Sequence, residues 1–168
     1  MRAACLEILE SKDAPVDDFR DMIGFIRNYA DKHHHGKEEQ ILFKAMTGHL
    51  GHVGENLITH GMLVEHDLAR LYISDLEAAL NEYEVSHAID AKLGIIANAV
   101  GYANLLARHI DKENTVVYPY AEAHLPPDVL AGADAGMREA ERQAEENGVQ
   151  RKYLAVLAAL ERKYGSRE

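Results

Sequence analysis

The chain has 168 residues and a formal net charge of −10, with 47% hydrophobic and 27% charged residues. This composition is typical of a soluble globular domain, and the acidic excess argues against nucleic acid as a partner. The single cysteine, Cys5, excludes an internal disulfide and predicts a reducing, cytoplasmic location. No apolar run is long enough to cross a bilayer and no signal peptide is recognised, so we expect no membrane association.

Helical periodicity runs through the chain, and β-branched runs of alternating polarity are absent. Ser86 is expected at an N-cap, Pro119 near a helix end, and the glycines of residues 48–54 in a loop. Asn147 and Gly148 are typical of a turn. The predicted helices, in chain order, are 2–11, 17–46, 55–83, 86–117, 126–146 and 150–164.

We therefore predict one helical bundle in residues 1–125, with a shortened first helix, and a C-terminal helical extension in residues 126–168. The last helix of this extension has an apolar stripe, which must pack on something because an unpaired stripe leaves an exposed apolar patch. We expect it to pack on the bundle of the same chain, with a homodimer as the alternative. The stripe consists of Tyr153, Val156, Leu157, Leu160 and Tyr164.

The chain has 10 histidines, and one of them lies in the middle of the apolar stripe of each long helix. These are His34, His66 and His109, and Glu38 and Glu113 follow the first and the last by one helical turn. A carboxylate in a core costs several kcal/mol unless it is paired or bound to a metal. A His and a Glu four residues apart project to the same point, which is how helical bundles build metal sites.

An internal repeat strengthens this interpretation. Residues 34–43 match residues 109–118, with His, Lys and Glu at identical spacing followed by two aliphatic residues and an aromatic one. A bundle with pseudo-twofold symmetry brings the two His/Glu pairs face to face, and facing carboxylates need a cation between them. Imidazole and carboxylate ligands favour iron, manganese or zinc over calcium. An inward cluster of salt bridges without metal is the alternative.

Three segments, 34–43, 62–70 and 109–114, resemble the hemerythrin-like, or HHE cation-binding, family. The resemblance covers roughly residues 1–120, with the segments in the family's order and spacing. It implies an all-α, antiparallel, four-helix up-and-down bundle around a non-haem di-iron centre bridged by carboxylates. Two iron ions are expected, with one ion or another transition metal as alternatives.

The resemblance also implies a ligand set. His35, at the edge of its stripe, is a secondary ligand candidate, or else forms a solvated pair with Glu39. Members of the family supply a further His from the first helix, whereas residues 1–11 contain none. Either the start is truncated or this ligand is missing, and the site is then more open, holds one metal or binds it weakly. The implied ligands are Glu38 and Glu113 as bridging carboxylates, with His34, His66 and His109 as terminal ligands.

The sequence also suggests positions or partners for residues near the implied ligands. His33 is expected to be exposed. Glu65 or Asp67 could orient the second nitrogen of His66, as metal-bound imidazoles usually require. Tyr102, in the buried stripe of its helix, is either ordinary core or the donor of a hydrogen bond to a metal-bound ligand.

Three classes of function fit such a site. The first is a binding module for O2, NO or peroxide, or a sensor of iron. The second is an enzyme in which the same centre reduces peroxide or NO, or donates iron for cluster repair; a reductase is then a further partner. The third is a structural bundle with an impaired metal site. A self-sufficient peroxidase is disfavoured because the chain has no cysteine pair for redox cycling.

Overall fold

The computed structural model describes residues 1–11 and 13–165, and within these ranges every regular element is helical. The prediction of an all-α fold is therefore confirmed. Residues 166–168 of the predicted extension lie outside the described part of the chain. The helices are α1 (Arg2–Ser11), α2 (16–49), α3 (51–86), α4 (89–124), α5 (Pro127–Glu146) and α6 (Val149–Tyr164).

The three long helices each contain π-helical turns. The π segments are Ile26–His35 and Glu38–Leu42 in α2, Ile58–Met62 in α3 and Glu113–Val117 in α4. A π turn bonds residue i to residue i+5, so it holds more residues than an α turn and rotates the side chains that follow it. The α-helical parts are Val16–Phe25 and Phe43–His49 in α2, Gly51–Leu57 and Leu63–Ser86 in α3, and Ile89–Lys112 and Tyr118–His124 in α4.

Two predicted ends of α4 are wrong. Ser86 closes α3 instead of capping α4, and its hydroxyl accepts a hydrogen bond from the backbone N–H of Ala88 at 3.1 Å. Pro119 does not end α4, which continues to His124. A proline clashes with the carbonyl four residues earlier in a regular α-helix, and the wider π turn immediately before Pro119 relieves this constraint.

The loop predicted at residues 48–54 contracts to one break between α2 and α3. Leu50 leaves the helical conformation (φ −102°, ψ 11°), and Gly51 adopts φ +57°, which glycine tolerates because it has no Cβ. Gly54 lies against the end of α2. A Cβ there would be 2.6 Å from Cβ of Leu50 and 2.7 Å from the carbonyl oxygen of Met46. The glycines therefore allow a tight reversal instead of a loop.

Short breaks at residue 50 and at residues 87–88 reverse the chain twice, so α2, α3 and α4 run antiparallel. α3 packs along α4, α2 packs on α3, and the short α1 packs on α4 to complete a four-helix bundle. α5 and α6 pack on each other and on α2. No described helix has the length and apolar character that a membrane span requires.

The core consists of two apolar clusters separated along the bundle axis. On α2, Ile26 belongs to the first cluster and Leu42 to the second, and the His/Glu segment lies between them. The same order holds on α4 between Leu105 and Val117. The first cluster includes Phe19, Ile73, Leu76 and Ile95, and the second includes Phe43, Met46 and Ile58. A polar layer is thus enclosed between two apolar ones.

The apolar stripe of α6 faces α2. Tyr164 is buried in the first cluster, and both its hydroxyl and the ammonium group of Lys163 donate to Asp18 on α2. The ring of Tyr153 meets Phe25 edge-on, with centroids 6.4 Å apart. These contacts place α6 on the bundle of its own chain. The division at residue 125 and a homodimer stay predictions.

Candidate metal centre

Five histidine and glutamate side chains are buried among the described residues, and all of them lie in the polar layer. They come from α2, α3 and α4, and each is at most 3% exposed. Burying this many ionisable groups is unfavourable unless they are paired or coordinate a metal. The five are His35, Glu38, His66, His109 and Glu113.

These side chains and His34 form two groups with the spacing of metal ligands. In each group, one nitrogen or oxygen atom per residue lies within 4.8 Å of the others. The structure therefore brings together all six residues that the sequence singled out. The nitrogen group consists of His35, His66 and His109, and the mixed group consists of His34, Glu38 and Glu113.

The two groups adjoin one another. Nε2 of His66 lies 3.9 Å from Oε2 of Glu38, and Nε2 of His109 lies 2.9 Å from Oε1 of Glu113. None of these four atoms has a hydrogen-bond partner with acceptable geometry in the described chain. A buried polar atom without a partner costs about 1–3 kcal/mol. A cation accepts lone pairs from imidazole and carboxylate together, so the donor set fits iron, manganese or zinc.

The second nitrogen of each histidine in the nitrogen group contacts a carboxylate. This arrangement favours the tautomer with the proton on Nδ1 and leaves the Nε2 lone pair free for a metal. Such pairs are typical of metal-ligating histidines. The pairs are His35 with Asp31 at 3.3 Å, His66 with Glu39 at 2.7 Å and His109 with Glu65 at 3.1 Å.

Cationic side chains hold these outer carboxylates in turn. Arg70 donates to Asp31 through Nε at 2.8 Å and to Glu39 through Nη2 at 2.7 Å, while Lys112 donates to Glu65. Burial acts to raise the pKa of Glu39, but the hydrogen bonds from His66 and Arg70 outweigh it and lower that pKa. The outer carboxylates therefore stay ionised and orient the imidazoles.

The expected partners of His66 need correction. Glu65 contacts His109 instead of His66, and Asp67 is exposed and binds Arg70 at 3.0 Å. Glu39 takes the expected role. Because residues 65 and 67 flank His66 on either side along the helix, their side chains leave it in other directions.

The burial of His34 and His35 also differs from the prediction, because His35 is the more buried of the two. The side chain of His34 is 41% exposed, whereas that of His35 is buried and stacks on His66 with ring centroids 3.9 Å apart. The prediction assumed α-helical periodicity, but Ile26–His35 is π-helical, and its wider turns carry His35 into the core. His35 is therefore buried in the nitrogen group and does not form a solvated pair with Glu39.

The electrostatics of the layer keep His35 neutral. Burial, followed by the neighbouring imidazoles of His66 and His109, lowers the pKa of His35 to about 4. Burial acts to lower the pKa of His109 as well, but the carboxylates of Glu113 and Glu65 outweigh it and raise that pKa. Neutral imidazole is the form that binds metals.

The pKa values of Glu38 and Glu113 shift in opposite directions. Burial and the nearby charge of Glu113 raise the pKa of Glu38 to about 7. Burial also acts to raise the pKa of Glu113, but His109 and the other imidazoles lower it overall. Without a cation, the pair therefore holds one proton up to near-neutral pH, and metal binding must displace it.

Sequence reasoning missed Tyr118, whose hydroxyl donates to Oε1 of Glu38. The only signal was its place in the internal repeat, where Tyr118 corresponds to Phe43. The buried hydroxyl of Tyr102 makes no hydrogen bond within the described chain. His33 was expected to be exposed, but its side chain is 11% exposed and contacts Glu141 of α5 at 3.2 Å, because α5 covers this side of α2.

No curated protein and no solved structure matches the chain significantly. The family model of the hemerythrin HHE cation binding domain matches residues 1–121. This range contains all of α1, α2 and α3, most of α4, and every residue of the two ligand groups. Because the match covers well over half of its length, the chain belongs to the hemerythrin HHE cation-binding domain family.

Proposed function

We propose that the protein binds two non-haem iron ions in the polar layer and uses them to bind O2, NO or peroxide. The observation that supports this most strongly is the set of four buried ligand atoms, one each from Glu38, His66, His109 and Glu113, that make no hydrogen bond of acceptable geometry within the described chain. Hydrogen bonding within the described chain does not satisfy them, whereas two cations would.

The arrangement of the two groups supports a pair of ions better than a single ion. The nitrogen group supplies three imidazoles for one position, and the mixed group supplies one imidazole and two carboxylates for the other. Glu38 and Glu113 also lie beside His66 and His109, so each can bridge the positions. His35, treated as secondary from the sequence, is a full ligand in this proposal.

If both glutamates bridge, the ion in the mixed group would still have only three side-chain ligands, which would leave coordination positions open, as suits iron sites that take up small molecules. Iron, when bound, supplies a redox-active ion with those open positions. The chain itself orients three imidazoles through Asp31, Glu39 and Glu65, and it fixes one oxygen of Glu38 through Tyr118. The apolar clusters pack on either side of the layer along the bundle axis.

Metal analysis tests the first half of the proposal. Protein purified from iron-containing medium, or titrated anaerobically with Fe(II), should hold close to two iron ions per chain and absorb in the near ultraviolet when oxidised. Its thermal stability should rise with Fe(II), because a ligand that binds only the native state stabilises it. Glu113→Ala should lose at least half of the metal, whereas the exposed Glu122→Ala should not. A wild type that neither retains iron nor gains stability from it contradicts the proposal.

Ligand addition tests the second half. NO or peroxide added to the iron-loaded protein should produce a saturable spectral change that Glu113→Ala lacks. A reversible change supports binding. Continuous consumption of peroxide or NO with an added reductant instead supports the enzymatic alternative. No change with O2, NO or peroxide contradicts both binding and catalysis.

A further inference from the structure

Each half of the internal repeat places a lysine directly before a glutamate of the mixed group, and an acid from another helix holds each lysine. Lys112 donates to Glu65 of α3, and Glu65 also contacts His109. Lys37 donates to Glu141 of α5. Glu141 therefore occupies, beside α2, the place that Glu65 occupies beside α4.

The carboxylate of Glu141 joins three helices. It accepts from Lys37 of α2 and, at 2.9 Å, from Nε2 of Gln150 of α6, and it lies 3.2 Å from Nε2 of His33. The side chains of Lys37 and His33 are 14% and 11% exposed, so water competes little for them. Burial acts to raise the pKa of Glu141, but the hydrogen bonds from Lys37 and Gln150 outweigh it and lower that pKa to about 2. The carboxylate is therefore ionised at neutral pH.

The two residues of α2 that contact Glu141 are next to ligands in the chain. His34 follows His33, and Glu38 follows Lys37. Successive residues of an α-helix point in directions about 100° apart. Holding the side chains at positions 33 and 37 towards α5 therefore restricts the rotation of the segment between them, which includes His34 and His35.

α5 contacts both π segments of this part of α2. Glu141 contacts His33 in Ile26–His35, and Gly136 packs so closely on Ile41 in Glu38–Leu42 that a Cβ there would be 3.2 Å from Cγ2 of Ile41. A π-helical segment of 10 residues is unusual, because π turns occur mostly singly within α-helices. Contacts with a neighbouring helix are therefore expected to select this segment over the regular α-helix.

We propose that Glu141 is a positioning residue of the metal centre, which holds α2 in the π register that turns His35 into the polar layer. The family model ends at residue 121, before α5 begins at Pro127, so the matched domain does not include this contact. Without it, α2 relaxes towards α-helical spacing and His35 leaves its stack on His66. The effect on metal binding rests on the proposed function, whereas the register is a property of the metal-free chain.

NMR of the full-length, metal-free chain tests the register directly. In the wild type, the ring of His35 stacks on His66 with centroids 3.9 Å apart, which displaces its ring signals. Glu141→Ala should move these signals towards those of an exposed histidine and speed hydrogen exchange of the backbone amides around His35. Glu139→Ala, which removes a carboxylate that binds Arg142 of the same helix, is the matched control and should do neither.

Exchanging the two charges gives a rescue test. Lys37→Glu combined with Glu141→Lys should restore the His35 signals that either single change displaces. The affinity for Fe(II), measured by competition with a chelator, should fall at least about tenfold in Glu141→Ala, as for other groups that orient metal ligands, and recover in the exchanged pair. If Glu141→Ala does not fold, Lys37→Met removes the same contact from the side of α2.

Three outcomes overturn the inference. These are unchanged His35 signals in the folded Glu141→Ala protein, equal displacement in Glu139→Ala, and an exchanged pair that behaves like the single variants. Iron analysis of the same samples keeps the two proposals apart. Displaced His35 signals with no iron binding in any variant, the wild type included, support the role of Glu141 and contradict the proposed function alone.

Discussion

Tyr118 holds one oxygen of Glu38 and leaves the other free. Its hydroxyl donates to Oε1, while Oε2, 3.9 Å from Nε2 of His66 and 3.7 Å from Nε2 of His34, has no hydrogen-bond partner in the described chain. A carboxylate tethered in this way cannot rotate freely about its last bond. The phenol therefore points Oε2 at the position between the two ligand groups.

Tyr118→Phe should weaken metal binding while preserving the fold, because it removes only the hydroxyl that orients Glu38. Loss of a group that orients a metal ligand typically costs about 10–100-fold in affinity. Competition with a chelator measures this change, and circular dichroism checks the helix content. Tyr120→Phe, two residues further along α4, is the matched control and should bind metal like the wild type. Equal affinities for the two variants would remove Tyr118 from the site.

His35→Ala should remove one of the proposed metal ligands. We expect it to lose more iron than His34→Ala, because His35 is buried in the nitrogen group whereas the side chain of His34 is 41% exposed. His60→Ala, an exposed histidine on α3, should retain the metal of the wild type. Elemental analysis of the three purified variants gives the order. If His34→Ala loses its iron and His35→Ala keeps it, then His34 is the more important ligand, as the α-helical periodicity of the sequence predicts.

Glu38 should give the metal-free protein a characteristic pH dependence. Its pKa is raised to about 7 in the folded state, so the folded chain binds a proton that the unfolded chain releases at lower pH. The stability that this proton contributes is present below the unfolded pKa and is lost as pH rises towards 7. Glu38→Gln should therefore gain stability relative to the wild type over this window, by about 1.4 kcal/mol per pH unit at most.

Urea denaturation of the metal-free proteins from about pH 5 to about pH 8 measures this difference. His35, with its pKa lowered to about 4, contributes a slope of the opposite sign, but both proteins share it and it cancels in the comparison. Glu122→Gln, at an exposed position, should run parallel to the wild type. Parallel curves for Glu38→Gln would show that Glu38 is ionised throughout the window.

The C-terminal helix should contribute to the stability of the bundle in the same chain. Tyr164 is 7% exposed in the first apolar cluster, so Tyr164→Ala should cost about 3 kcal/mol, as for other large core residues. Leu154→Ala on the same helix, at a position 49% exposed, should cost little. Denaturation combined with size-exclusion chromatography measures both effects. An unchanged melting temperature for Tyr164→Ala together with loss of a dimer would favour the homodimer.

Much of the fold could be predicted because long apolar stripes at three- and four-residue spacing specify helices directly. The stripes also identified the polar layer, because His66, His109 and Glu113 lie at α-helical spacing from the apolar residues of their own stripes. Sequence reasoning failed where the backbone leaves that spacing. The burial of His35 and the continuation of α4 through Pro119 both depend on π turns, for which a single sequence has no clear signal.

The outer partners of the ligands could not be predicted for another reason. Glu39 contacts His66, and Glu65 contacts His109, across helix interfaces and not along one helix. Spacing within a helix specifies only which residues share its face. The relative rotation and height of two helices, which bring Glu65 to His109, depend on how their whole surfaces pack.

The π turns have a consequence for comparing this chain with its relatives. A π turn acts as a one-residue insertion in an α-helix, so an alignment without gaps can match histidines by letter while their side chains point in different directions. In α2, two neighbouring histidines occupy this place, His34 and His35. If the helix lost the extra residue of a π turn, the ring of His34 would move from the edge towards the core, and the ring of His35 would move out of the core. A His-His doublet thus keeps one imidazole facing the core in either backbone register.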